Sequence, residues 1–263
     1  MVKSISFSFI LYSISVIAGT TQASNVPQHF EGGITDHCCD TSIHVVQKTT
    51  DSKNYSKRLD SFRDWLCSYN KPCKQLQDAV LQRYNLFLDT TRWNLTTDGY
   101  ETYGPSDAKI KIAVFISLSC PLCKRLYNEL IDSLSAAPLG KSVSVTALLF
   151  TNGEPDRLYA ALFKSGKQTA LLRALYPLKE RVSSEVILKV ADSLGIDTVD
   201  LLKKARSSEI INFTNRSREV GIAAGVKVTP TFFINNIRYS SYKDIRWIMD
   251  YLEVIAQRLS NWQ

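Results

Sequence analysis

"KIKIAVFISLSCPLCKRLYNELIDSL", residues 109–134, runs from an apolar stretch through two cysteines into a helical pattern. Residues 109–118 alternate and then become continuously apolar, with β-branched and aromatic members, as a strand buried on both faces does. From about 121 to 136 the apolar positions recur at helical spacing. Cys120 therefore falls near the N-cap of that helix. Pro121 takes the first helical position, where its missing N–H costs nothing, and Cys123 lies at the third. An N-cap side chain points back toward the backbone of that position, so the two sulfurs come within disulfide reach. Unpaired N–H groups and the positive end of the helix dipole stabilise a thiolate on Cys120, lowering its pKa below the usual value of about 8.5. Cys123, one turn inside, is the less accessible thiol and is placed to resolve a mixed disulfide. A zinc site would need two further ligands, and no second Cys-x-x-Cys or His pair accompanies this one. An inert disulfide over so short a loop gains little. The spacing points to thiol chemistry.

Working outward, "SVSVTALLF" at 142–150 reads as the next strand, and about 155 to 224 reads as a set of helices broken near Pro177, Gly195 and Gly225. "TPTFFI" returns to strand, Asn235-Asn236 turns the chain, "IRYS" makes a short strand, and an amphipathic helix runs from about Lys243 to Leu259. This order is an α/β layered fold. Upstream, Tyr55, Leu59, Phe62 and Leu66 recur at helical spacing, as do Leu76, Val80, Tyr84 and Phe87. "CSYNKPC" interrupts the two stripes, so a helical hairpin is expected over roughly 53–89. "TTRWNLTTDGYETYGPSD" reads as a polar linker, and residues 24–50 as mostly irregular.

The chain has 263 residues and a net charge of +7. Lys and Arg are spread along it without a block of five, which is a solvated surface and not a nucleic-acid footprint. The first 23 residues have one lysine, a serine-diluted apolar run and "TQA", the layout of a signal peptide cleaved near Ala23; an uncleaved anchor is the alternative. All six cysteines lie beyond it, and an even count in an exported chain favours disulfides.

"GVKVTPTFFINNIRY", residues 225–239, together with "YGPSDAKIKIAVFISLSCPLC" and the helical insert containing "VADSLGIDTVDLLKKARSSEI", resembles the DsbA-like family of exported thiol:disulfide oxidoreductases. The resemblance covers about residues 103–259 and implies a thioredoxin fold with a helical insertion. The expected organisation is a signal peptide at 1–23, a small, mainly helical, cysteine-containing extension at 24–105 and a DsbA-like domain at 106–263. It implies that Cys120 and Cys123 carry the redox cycle, that Pro230 is cis against them, and that Thr229 pairs with bound substrate. It further implies protein substrates bearing thiols or disulfides, no bound cofactor, and a redox-recycling partner, for instance a membrane protein, in the periplasm or outside the cell. The sequence departs from the family at Val114, where DsbA itself has an acid; Ala113 and Phe115 beside it are apolar too. The residues between the cysteines are Pro-Leu, without the histidine of strongly oxidising members, and Thr precedes the cis-proline position as in some isomerases and reductases. Direction is thus open between oxidase and isomerase or reductase, with a non-catalytic peptide-binding chaperone or metal-handling protein as the alternative outside enzymes.

Cys38, Cys39, Cys67 and Cys73 allow three pairings, and sequence does not choose among them. A bond between the adjacent Cys38 and Cys39 would strain the backbone, so two long-range bridges stapling the extension are expected. Metal binding by His37, Cys38, Cys39 and His44, or a redox relay to the Cys120 pair, are the other readings. Related isomerases dimerise through such extensions, so a homodimer through the hairpin is an expectation by analogy.

Overall fold

The computed structural model describes Cys39, residues 52–69 and residues 71–260. The expected leader, Cys38, His37 and His44 lie outside the described residues. Strand β2 (Ile110–Ile116) is the centre of a five-stranded sheet of order β1-β3-β2-β4-β5. β3 (Val143–Leu149) pairs with it in parallel, from Ile110 opposite Val143 to Ile116 opposite Leu149. β4 (Thr231–Ile234) pairs antiparallel on the other side, with Val114 opposite Phe232. β5 (Ile237–Arg238) closes the hairpin through Asn235 and Asn236, both in the left-handed region; asparagine tolerates this conformation well and suits a tight hairpin turn. Flanked on both edges and covered on both faces, β2 buries six of its seven residues, which is why it reads as one apolar run.

Helix α3 (Pro121–Ala136) crosses from β2 to β3 as a βαβ unit. Helices α4 (Glu154–Ala160), α5 (Gln168–Leu175), α6 (Ser184–Ser193), α7 (Thr198–Ala205) and α8 (Ser208–Ala223) form the insertion between β3 and β4. Ser183, Asp197 and Ser207 accept hydrogen bonds from backbone N–H groups in the first turns of α6, α7 and α8, fixing where those helices start. Helix α9 (Ile245–Ser260) ends the described chain. Gly221 of α8 lies so close to the sheet that a Cβ there would sit 2.8 Å from Phe150 and 3.0 Å from Phe115. Among the described residues no helix is long and apolar enough to cross a membrane.

The expected hairpin is present as α1 (Ser52–Cys67) and α2 (Cys73–Leu88). Its buried residues share one core with α3, the insertion and α9. Arg83 of α2 is fully buried. It bonds Tyr239 Oη at 3.2 Å and the Trp247 carbonyl at 3.1 Å, and pairs with Asp250 of α9. Its guanidinium also stands 5.0 Å from the ring centroids of Phe62 and Trp247. Arg58 of α1 reaches the same Asp250.

The linker reading of 90–107 is corrected. Thr102–Tyr103 forms an edge strand, β1, antiparallel to β3, on the amino-terminal side of the boundary expected at residue 106. Trp93 N–H bonds the Asn236 carbonyl at 2.9 Å, and the Trp93 ring meets Phe233 edge-on. Trp93, Leu95 and Tyr100 thereby pack on the sheet face opposite the main core. A two-residue strand is too short to carry a periodic signal, and isolated aromatics among polar residues read as loop.

Candidate active site

β2 ends at Ile116, and the turn Ser117-Leu118-Ser119 delivers Cys120 to the start of α3. The turn is fixed at two points. Cys120 N–H bonds the Ser117 carbonyl at 3.1 Å, and Leu118 N–H bonds the Asp156 carboxylate at 3.3 Å. Cys120 has extended backbone (φ −83°, ψ 114°) and caps α3, its sulfur accepting the Cys123 N–H at 3.4 Å. Both cysteines are free thiols. Across from them the Thr229–Pro230 peptide bond is cis, and the Cys120 thiol donates to the Thr229 carbonyl at 3.5 Å.

The two thiols differ sharply. Cys120 is half-buried, whereas Cys123 is 1% exposed. Burial by itself would raise the Cys120 pKa; hydrogen bonds from the Cys123 thiol and N–H, the Thr229 hydroxyl and the Leu122 N–H outweigh it, and the net shift is downward. Burial pushes the Cys123 thiol up to about 12, opposed only in part by Ser117 and Thr229 and reinforced by Cys120. The surroundings of Cys120 favour its thiolate form, and burial favours the protonated form of Cys123.

Sequence reasoning missed three further groups. Asp156 is the one buried carboxylate among the described residues. It caps α4 through the Gly153 N–H at 3.0 Å while holding Leu118, and burial raises its pKa despite the hydrogen bonds from the Leu118 and Gly153 N–H groups. An acid three residues after Gly153, with Pro155 between them, was the available signal. Tyr176, buried at the end of α5, has a hydroxyl without a hydrogen-bond partner among the described residues. Burial raises its pKa first, and the charges of Cys123 and Cys120 add to that. Lys243, half-buried before α9, has its pKa lowered first by burial, while Cys123 and Cys120 act in the opposite sense. Val114, Ala113 and Phe115 are all buried and apolar, so β2 itself supplies no proton carrier.

The other cysteines among the described residues, Cys39, Cys67 and Cys73, are in a different state. Cys39 is disulfide-bonded to Cys67, with Cα atoms 6.0 Å apart across 28 residues. Cys73 is disulfide-bonded too. A Cys67–Cys73 bridge is thereby excluded, and Cys39 is withdrawn from the metal-ligand set considered above.

A βαβ unit, an inserted helical layer, and a closing hairpin whose cis-proline faces a Cys-x-x-Cys at a helix start define a thioredoxin fold of the DsbA type. A family model described as thioredoxin matches residues 96–251, more than half of the chain, and the protein belongs to that family. Among solved structures, the chain is similar to a thioredoxin-like oxidoreductase from Silicibacter pomeroyi DSS-3, at 19% identity and a TM-score of 0.53, covering 66% of this chain and 98% of that one. It is also similar to oxidised BdbD from Bacillus subtilis, at 15% identity and 0.54, covering 63% and 97%. Wolbachia pipientis alpha-DsbA1 aligns at 13% identity and 0.55, covering 65% and 97%. No curated protein matches the sequence.

Proposed function

We propose that the protein is an exported thiol:disulfide oxidoreductase that exchanges disulfides with protein substrates through Cys120 and Cys123. The observation that carries this reading is the asymmetry of the two thiols opposite the cis Thr229–Pro230 bond: one accessible and shifted down, the other buried and held at about 12. The family and the similarity to a thioredoxin-like oxidoreductase support it.

In the oxidising direction a substrate thiolate attacks the Cys120 sulfur of the oxidised pair. The Cys120–Cys123 bond breaks, and Cys123 leaves as a thiolate and takes up a proton, as its raised pKa favours. A second substrate thiolate then attacks the substrate sulfur of the mixed disulfide and expels Cys120 as its stabilised thiolate. Two electrons pass from the substrate dithiol to the cysteine pair. Thr229 and Pro230 line the approach, where the backbone of Thr229 pairs with the substrate segment.

The leader at 1–23 directs the chain to the periplasm or the exterior with cleavage near Ala23, the extension spans 24–105, and the catalytic domain 106–263. A redox partner of the opposite state, membrane-bound in such a compartment, returns the pair to its starting state. The hairpin's inner face is taken up by α9, so a homodimer through it would have to use the outer face, where Tyr69 and Leu81 are exposed.

The test is equilibration with glutathione followed by mass mapping of alkylated cysteines. A potential near about −120 mV makes the protein a dithiol oxidase, and one near about −200 mV or below favours isomerase or reductase work. A Cys120–Cys123 pair that never exchanges overturns the assignment.

A further inference from the structure

Beside Cys120 a groove of about 600 Å³ opens between the start of α3 and the segment that joins α5 to α6. It begins at Ser119 and Pro121, which flank the attacking sulfur, and reaches Lys179 and Arg181. Lys124 and Arg125 line it from α3. Its charge is one-sided: four cations face a single carboxylate, Glu180. Lys124 is tied down, its Nζ donating to the Leu178 carbonyl at 2.6 Å and the Glu180 carbonyl at 3.0 Å. This staples the joining segment to α3 and fixes one positive charge inside the groove. Arg125 has only a long exposed contact of 3.9 Å with Glu129. Lys179 and Arg181 are exposed, and no carboxylate among the described residues lies within ion-pair distance of either. Tyr176, whose buried hydroxyl lacks a partner, also lines the groove.

A surface that needed only solubility would mix its signs. Here the free cations are gathered at the mouth of the cleft where a substrate's reacting cysteine must arrive. The positive end of α3 points the same way.

Resting on the oxidoreductase reading above, we propose that this groove selects substrate segments carrying aspartate or glutamate beside the reacting cysteine. Their carboxylates pair with Lys179 and Arg181 while the sulfur meets Cys120. Charge complementarity of this kind acts on encounter and on register more than on the chemical step.

The full-length protein, oxidised, is reacted with two synthetic single-cysteine peptides of equal length, one with glutamates and one with lysines flanking the cysteine. Each rate constant is divided by that peptide's own rate with oxidised dithiothreitol, which removes the effect of flanking charge on thiol reactivity. The acidic peptide is expected to react about tenfold faster at low salt, from two exposed ion pairs, and the preference is expected to shrink as salt is raised. The double variant Lys179→Glu/Arg181→Glu is expected to reverse the preference, while Lys179→Arg/Arg181→Lys keeps it. Equal rates for the two peptides, or a preference that survives charge reversal, overturn the groove proposal. Exchange between each protein and reduced dithiothreitol, a neutral thiol that needs no groove, separates the two levels. If the wild-type protein does not react with it, the oxidoreductase reading fails; if it reacts at the wild-type rate in both variants, the fold and the pair are intact and only the groove is being tested.

Discussion

The chain carries cysteines in two settings that differ in every physical respect but the residue. Cys120 and Cys123 sit one helical turn apart at the start of α3, both free, one tuned down by hydrogen bonds and one raised to about 12 by burial. Cys39 and Cys67 are bonded across 28 residues at the far end of a helical hairpin. In the first pair, donors around Cys120 favour its thiolate while burial holds Cys123 protonated. The second joins an upstream residue to the end of α1, so its worth lies in the chain it restrains. Reactivity here follows from what lies around the sulfur, not from cysteine content.

The contrast gives its largest expected effect at Cys120. Cys120→Ser should abolish disulfide exchange completely, whereas Cys123→Ser should leave attack intact and accumulate a mixed disulfide on Cys120. Non-reducing electrophoresis with a cysteine peptide distinguishes the two. The double variant Cys39→Ser/Cys67→Ser should behave in the opposite way. Its exchange rate should stay at wild-type level, while stability falls by about 3.5 kcal/mol from the lost restraint on the unfolded chain, read from denaturant midpoints. A fall in exchange rate with unchanged stability would make that bridge a relay and erase the distinction drawn above.

A comparable loss should come without touching a cysteine. Arg83 is fully buried and bonded to Asp250, so Arg83→Met removes the cation and leaves a largely buried carboxylate. Breaking such a pair costs about 3 kcal/mol, at the low end of the range because Arg58 also contacts Asp250. The measured quantity is again the denaturant midpoint, with exchange by Cys120 as the control. If hairpin and catalytic domain were energetically independent, two transitions would separate in the wild type; a single shared one is expected from their common core.

Much of the site was legible before any coordinates. The apolar run 109–118, the cysteine spacing and the Pro at the first helical position are local signals, and α3 starts and ends where they put it, at Pro121 and Ala136. β4 and the Asn235-Asn236 turn are local in the same sense. What stayed hidden is whatever depends on another part of the chain. Arg83 lies on the apolar face of α2, between Val80 and Phe87, but its charge hides the burial until Asp250 of α9 is seen to pair with it. The Cys39–Cys67 pairing depends on where the hairpin ends lie in space. Asp156 and Tyr176 come to the turn around Cys120 from distant segments, and β1 owes its existence to the edge of β3. Val114, where the resemblance implies an acid elsewhere in the family, is a buried apolar residue of β2.

The smallest expected effect is also the one that divides the two thiols most finely. Cys120 has a lowered pKa, so in the reduced protein its contribution to stability is present above the ordinary thiol value of about 8.5 and is lost as pH falls through its folded value. Cys123 has the opposite sign: its contribution is present below the ordinary value and is lost as pH rises toward about 12. The oxidised protein has neither thiol, so the same difference enters the reduction potential. Below the Cys120 pKa, reduction takes up two protons and the potential should fall by about 59 mV per pH unit. Between the two pKa values only Cys123 is protonated, and the slope should halve to about 30 mV per unit. Potentials measured against glutathione from pH 5 upward should therefore bend once, below the ordinary thiol value, and not bend again until the range of Cys123. The rate of Cys120 alkylation should rise through the same bend. A bend no lower than the ordinary thiol value of about 8.5 would mean that Cys120 is an ordinary thiol, and the donors around it would then be shaping the loop and not the chemistry.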